Sequence, residues 1–267
     1  MLALSRRTML GAMAAFATAP RLAGAASVAR GMPSTPEEHL RAFVRLTASL
    51  EEKDVPWWYR GVVYAVQEKR PPRPLFRIEG VETYWFEHEG DGTFRAHSRT
   101  LSFMRDVETD EYLYEFKNPF TGRVNEVSPN ILRSDVPDHY TADGIKTGFP
   151  GSKEDKGPVY FDWQVAGPHV FLLKDRGSTT LPQPWLEAQS PSAPLVEFLD
   201  PSVNTLSSFF SSTWFSPFPA WMEMGDIAGH NIWHSTGAKL GSIEDLPSDY
   251  LKRARADFPE SLSARPE

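Results

Sequence analysis

Apolar and polar positions change period along the chain, and each change marks an element. Leu40, Phe43, Val44, Thr47 and Leu50 recur at helical spacing, as one face of a 3.6-residue period does. Before them, Thr35-Pro36-Glu37-Glu38 supplies an N-cap, a proline at the first helical position and a glutamate that closes a capping box. Acidic residues and then Pro56 end the run. The pattern predicts a short amphipathic helix packed on a sheet. From Trp57 onward the period falls to two. Segments 62–67, 76–79, 83–89, 93–105, 112–116 and 123–127 read as strands. Glu89-Gly90-Asp91-Gly92, the polar stretch 106–111 and Asn118-Pro119-Phe120-Thr121-Gly122 read as the turns between them. Short turns between consecutive strands predict an antiparallel sheet.

Beyond residue 127 the pattern weakens. Segments 128–157 and 176–201 are rich in proline or glycine and read as loops. Between them, 159–165 and 169–174 form a hairpin turning at Ala166-Gly167-Pro168. Late strands are expected at 196–199, 204–211 and 228–235, and a short helix from Pro247 through Leu251, Ala254 and Phe258. The expected fold is mainly β. It is an antiparallel barrel-like or strongly curved sheet with a short N-terminal helix and a short C-terminal helix. No repeat or clean linker divides residues 27–267, which read as a single β-rich domain.

The first 26 residues follow different rules. Arg6-Arg7 precedes a weakly apolar stretch from Met9 to Ala19, and Ala23-Gly24-Ala25-Ala26 offers small residues for cleavage. The apolar stretch is shorter than the roughly 20 residues a membrane span needs. With Ser5 before the arginine pair and Met9-Leu10 after it, the segment resembles a twin-arginine (Tat) export signal. An ordinary secretory signal is the other reading. Export implies the periplasm, the Tat machinery as a partner, and no stable membrane insertion after cleavage.

Composition sharpens this picture. Lys and Arg number 28 against 35 Asp and Glu. Removing the signal takes away three arginines and no acid, which moves the formal charge from −7 to −10. Nucleic acid is therefore not an expected partner. The absence of cysteine excludes disulfides, thiolate metal sites and cysteine nucleophiles.

Candidate chemistry is sparse. Neither G-x-S-x-G nor G-x-x-x-x-G-K-[ST] occurs, and Gly90-Asp91-Gly92 stops short of G-x-G-x-x-G. His230 and His234 stand four apart, but the position after His230 is Asn231, not the glutamate of a zinc protease. On a strand the two would lie about 13 Å apart and share no metal; on a helix they would need a carboxylate such as Glu223 or Asp226. Arg95, His97 and Arg99 alternate along one strand face, an arrangement suited to a carboxylate or phosphate ligand. The opposite face, Phe94, Ala96, Ser98, Thr100 and Ser102, is small and weakly polar and suits an interior or a ligand. Six aromatics, from Phe209 to Trp221, crowd a serine- and proline-rich segment; core packing or a pocket wall would use them. The acids of 106–111 lack the glycine and glutamate of a calcium loop and read as a turn.

The run from Arg99 to Pro129, with its Asp-Val-Glu-Thr-Asp turn and Asn-Pro-Phe-Thr-Gly, combines with Gly237-Ala238-Lys239 and Asp245-Leu246-Pro247. Together with the arginine pair, these motifs resemble a bacterial family of exported proteins known only as domain of unknown function 1838. The resemblance implies no activity and assigns no catalytic residue. The residues themselves support an exported protein that binds a small apolar or aromatic molecule in a β-barrel cavity, with its transformation as an extension. Candidate lining groups are Arg95, His97, Arg99, Trp214, Trp221, His230 and His234. A non-enzymatic periplasmic interaction module and a histidine-based metalloenzyme are the alternatives. No cofactor is expected.

Overall fold

The computed structural model describes residues 31–133, 136–148, 155–178 and 185–266. The proposed signal, residues 1–26, lies outside them. Helix α1 (Pro36–Thr47) forms as its caps predict. The Thr35 hydroxyl accepts from the Glu38 amide, and the Glu38 carboxylate accepts from the Thr35 amide. Leu40, Phe43, Val44 and Leu46 are buried along it. Burying each such side chain contributes roughly 1.5–3 kcal/mol.

Three long strands follow: β1 (Val55–Val66), β2 (Arg73–Gly90) and β3 (Thr93–Arg105). The β2–β3 turn needs left-handed backbone at Gly90, Asp91 and Gly92 (φ +84°, +48° and +73°), which explains its glycines. Strands β4 (Glu115–Lys117) and β5 (Val124–Glu126) form a separate hairpin around Asn118, whose side-chain oxygen accepts from the Phe120 and Thr121 amides. Next come β6 (Asn130–Arg133), β7 (Asp138–Thr141), β8 (Gly144–Lys146), β9 (Asp155–Lys156), β10 (Trp163–Ala166), β11 (His169–Leu172), β12 (Lys174–Ser178) and β13 (Trp185–Pro194). Helix α2 (Leu195–Leu199), β14 (Phe209–Ser216), β15 (His230–Lys239) and helix α3 (Ser248–Asp257) complete the chain.

The described residues are mainly β, with one large antiparallel sheet and three α-helices. Thirteen strands join in the order β10-β11-β13-β14-β15-β1-β2-β3-β7-β8-β9, with β12 beside β13 and β6 beside β3. The expected barrel is not closed. Closure needs the terminal strands to pair, and the described order ends at β10 and β9 without joining them. Three local expectations also change. Residues 128–157 carry the short strands β6 to β9, and 176–201 carry β12 and β13. Segment 196–199 is helix α2, not a strand; a short apolar run does not distinguish the two by periodicity.

Alternation gives the sheet two different faces. Val81, Leu101 and Phe103 on one face pack against Leu246, Tyr250, Leu251 and Ala254 at and around α3. On the other face, Val63, Phe76, Ile78, Met104 and Trp233 pack with Phe116 and Met222. Phe43 of α1 stacks near Tyr140 of β7, which in turn meets Phe86 of β2.

Candidate functional site

Between these packed regions the second face is hollow. The register explains why. One row crosses the sheet through Phe210 (β14), Gly237 (β15), Tyr59 (β1), Gly80 (β2), Ser102 (β3) and Asn130 (β6). Tyr59 has a glycine opposite it on both neighbouring strands. A Cβ at Gly80 would lie 2.6 Å from the Tyr59 hydroxyl, and one at Gly237 would lie 2.4 Å from the Phe210 ring. Each glycine therefore lets an aromatic ring from the adjacent strand lie flat across it. The Tyr59 hydroxyl so reaches Ser102 two strands away, at 2.6 Å. The next row continues with small groups, Ser212, Ser235 and Gly61.

Large side chains wall this patch. Glu187, Trp214 and Trp233 form one row, and the two indoles lie 5.7 Å apart at 33°. Glu82, Thr100 and Leu132 form the facing row, and Trp185 and Gln189 add to the β13 side. The cavity, partly open to solvent, measures about 110 Å³. A larger hollow of about 400 Å³ lies between Arg70–Pro74 and Pro119-Phe120. Arg70, Pro71 and Pro72 there are exposed, so it is a surface groove.

Electrostatics define what the cavity can do. Glu187 accepts from the Ser212 hydroxyl at 3.1 Å and from the Gln189 amide at 3.4 Å. Glu82 accepts from the Tyr84 hydroxyl at 2.7 Å. Burial pushes the Tyr59 phenol well above its ordinary pKa; the charges of Glu82 and Glu187 add to this, and the Ser102 hydrogen bond opposes it. Tyr59 is therefore a neutral hydrogen-bonding group at neutral pH, not a base. The Trp214 Nε1–H is buried and has no hydrogen-bond partner, whereas the Trp233 Nε1–H donates to the Ser216 hydroxyl at 2.8 Å.

The seven residues singled out from the sequence do not form one site. Trp214 alone among them lines the cavity. Trp221 packs between Phe76 and Phe116, with ring centroids 5.5 and 5.7 Å away. By the β1–β2–β3 register, Arg95, His97 and Arg99 alternate with Ala96, Ser98 and Thr100 and turn to the other face. There Arg95 pairs with Glu89 and Glu87, His97 lies 3.5 Å from Glu87, and Arg99 donates to the Glu260 carbonyl. His230 and His234 sit on β15 among the residues that alternate away from Trp233. His234 is exposed and hydrogen-bonds Thr213 at 3.1 Å. Among the described residues, no three His, Asp or Glu side chains gather as metal ligands. The sequence signal that did reach the cavity was the small, weakly polar face of β3.

Residues 52–267 match a family model described as a protein of unknown function, DUF1838. The chain belongs to the DUF1838 family. The match spans every strand and the whole cavity lining, and it begins after α1. No curated protein matches the chain. No helix among the described residues is long and apolar enough to cross a membrane.

Proposed function

We propose that this DUF1838 protein is an exported binding protein that holds one small, ring-sized molecule in the cavity between β13 and β6. The observation that carries the proposal is the origin of the lining, which comes from seven consecutive strands. Laid flat, β13 and β6 would stand about 29 Å apart at roughly 4.8 Å per strand. Lining residues from both around one hollow support a strongly curved sheet, with the glycine row at its bend. A cavity of about 110 Å³ is of the order of the ~150 Å³ cavity that admits benzene. Aromatic walls with a few polar groups are the usual make-up of a small-molecule site.

The arginine pair at Arg6-Arg7 and the lack of cysteine support export by the Tat route, in a form needing no oxidative folding step. The aromatic segment 209–221 gives the interaction-module reading little surface. Phe210 and Trp214 line the cavity and Trp221 is packed; Phe209 is 58% exposed.

Ser235→Leu tests the binding reading by filling the cavity from its floor. Native mass spectrometry of protein matured in the periplasm should show a small-molecule adduct that the variant lacks. Equal adducts on both proteins, or none on either together with no binding of one-ring probes by ligand-observed NMR, would overturn the proposal.

A further inference from the structure

We infer that the surface groove between Arg70–Pro74 and Pro119-Phe120 is a second binding site, one for an organic carboxylate with an apolar body. This site is separate from the cavity and does not depend on the cavity reading. Two arginines point to it. Acids outnumber Lys and Arg by 35 to 28, and most nearby arginines are answered by them. Arg60 and Arg77 meet Asp110, Arg105 meets Glu79, and Arg123 meets Glu223. Arg70 and Arg73 line the groove and are exposed. Among the described residues, neither guanidinium has an ion pair, a hydrogen bond or a ring partner.

Both walls of the groove are held in place. On one side the Arg70 amide closes a turn onto the Gln67 carbonyl at 3.2 Å, and the Gln67 side chain donates to the Ala228 carbonyl at 3.3 Å. Pro71, Pro72 and Pro74 fix φ on either side of Arg73, so little backbone freedom is left to lose on binding. On the other side Asn118 is fully buried and donates to the Met222 carbonyl at 2.7 Å, while its oxygen holds the Phe120 amide at 2.9 Å. The Phe120 ring rests on Phe218, with centroids 6.1 Å apart.

Charge and surface together select the ligand. Apart from the two arginines and Gln67, the lining is proline, phenylalanine and alanine. An inorganic anion would pair with the guanidinium groups but leave that apolar surface uncovered. A hydrocarbon would cover it and leave the arginine donors unused. A carboxylate on an apolar body uses both. The guanidinium fork makes a charge-assisted, bidentate contact, and the body removes the proline and phenylalanine surface from water. The volume of about 400 Å³ falls in the range of roughly 300–1,000 Å³ that small-molecule sites occupy. The acid excess of the whole chain disfavours a polyanion.

NMR titration of protein matured in the periplasm tests this with three probes: 4-phenylbutyrate, its neutral counterpart 4-phenyl-1-butanol, and acetate. Phenylbutyrate should bind about tenfold or more tightly than either of the others, and added salt should weaken it. The double variant Arg70→Gln, Arg73→Gln should bind phenylbutyrate no better than the alcohol, with its melting temperature unchanged because both side chains are exposed. Ser235→Leu, which fills the cavity, should leave phenylbutyrate binding as it is. An alcohol that binds as tightly as the acid, or a double variant that keeps the acid's affinity, would overturn the proposal. Loss of phenylbutyrate binding in Ser235→Leu would move the probe to the cavity and overturn the groove site. No binding of phenylbutyrate at all would overturn the groove site and leave the cavity reading standing.

Discussion

Glu79 and Glu82 stand three residues apart on β2 and teach opposite lessons, because alternation sends them to opposite faces. Glu79 is 2% exposed and meets Arg105, whose Nε donates to it at 2.6 Å. Arg105 also pairs with Asp249 of α3 at 2.5 Å and donates to the Asp110 carbonyl. Burial alone would lower the Arg105 pKa, but its bonds to Asp249 and Glu79 outweigh this and hold it above its ordinary value. The Tyr112 ring covers the guanidinium, 3.8 Å from centroid to Cζ. On this face the protein answers its own charges and ties α3 to the sheet. Glu82 instead lines the cavity and accepts from the Tyr84 hydroxyl of its own strand. A buried ion-pair network ties elements of the fold together; polar groups at the edge of a hollow carry a smaller share of that work, and the binding role proposed above would use them.

The largest expected effect breaks the first half of this contrast. Arg105→Ala leaves Glu79 buried without its partner and should cost about 3–5 kcal/mol. Glu82→Gln should change stability by less than about 1 kcal/mol, because it keeps its size and can still accept from Tyr84. Chemical denaturation of both variants measures the difference, and equal losses would erase the distinction between the faces.

A pH experiment sharpens the contrast on the cavity face. There Lys239 buries its amine and donates to the Arg45 and Ala48 carbonyls at 2.9 and 3.0 Å, at the end of α1. Burial, aided by the nearby charges of Lys53 and Arg45, holds its pKa well below the ordinary lysine value. Between that depressed value and about 10.4, the unfolded chain binds more protons than the folded one. Stability therefore rises with pH in this window, by at most about 1.4 kcal/mol per pH unit. Melting curves from pH 7 to 9.5 should show wild type gaining on Lys239→Met, and a constant gap between them would reject the account. The neutral amine keeps two N–H groups, enough for both carbonyls.

The smallest effect concerns the cavity floor. Tyr59→Phe removes the hydrogen bond to Ser102 and should cost about 1 kcal/mol. Thermal melting reads it, and an unchanged melting temperature would mean the bond contributes nothing.

Local chemistry was legible wherever it acted within a few residues. The Thr35–Glu38 cap, the Gly90-Asp91-Gly92 turn and β3 from Thr93 to Arg105 all follow from short-range rules. Strand β13 was hidden because Pro191 and Pro194 argue against a strand. Pro191 falls in the gap between the partners of β13, after its pairing with β12 ends at Gln189 and before its pairing with β11 begins at Ser192; proline is tolerated where one side lacks a neighbour. The site was less legible still. Glu82 and Glu187 share a cavity only through the register of the strands between them, and no local spacing encodes that. The open edges of the sheet were likewise unreadable, since strand periodicity says nothing about whether the first and last strands meet.

The attachment of α1 has a consequence for sequence variation. Arg45 donates to the carbonyls of Glu197, Phe198, Asp200 and Val203, and Lys239 reaches α1 by carbonyls too. The joint between helix and domain is thus written in main chain, which every residue type possesses. These bonds ask nothing of the side chain at 203, whereas the Asp200 carboxylate adds its charge to the joint, and Arg45, as the planar fork that reads four oxygens at once, is not interchangeable with lysine.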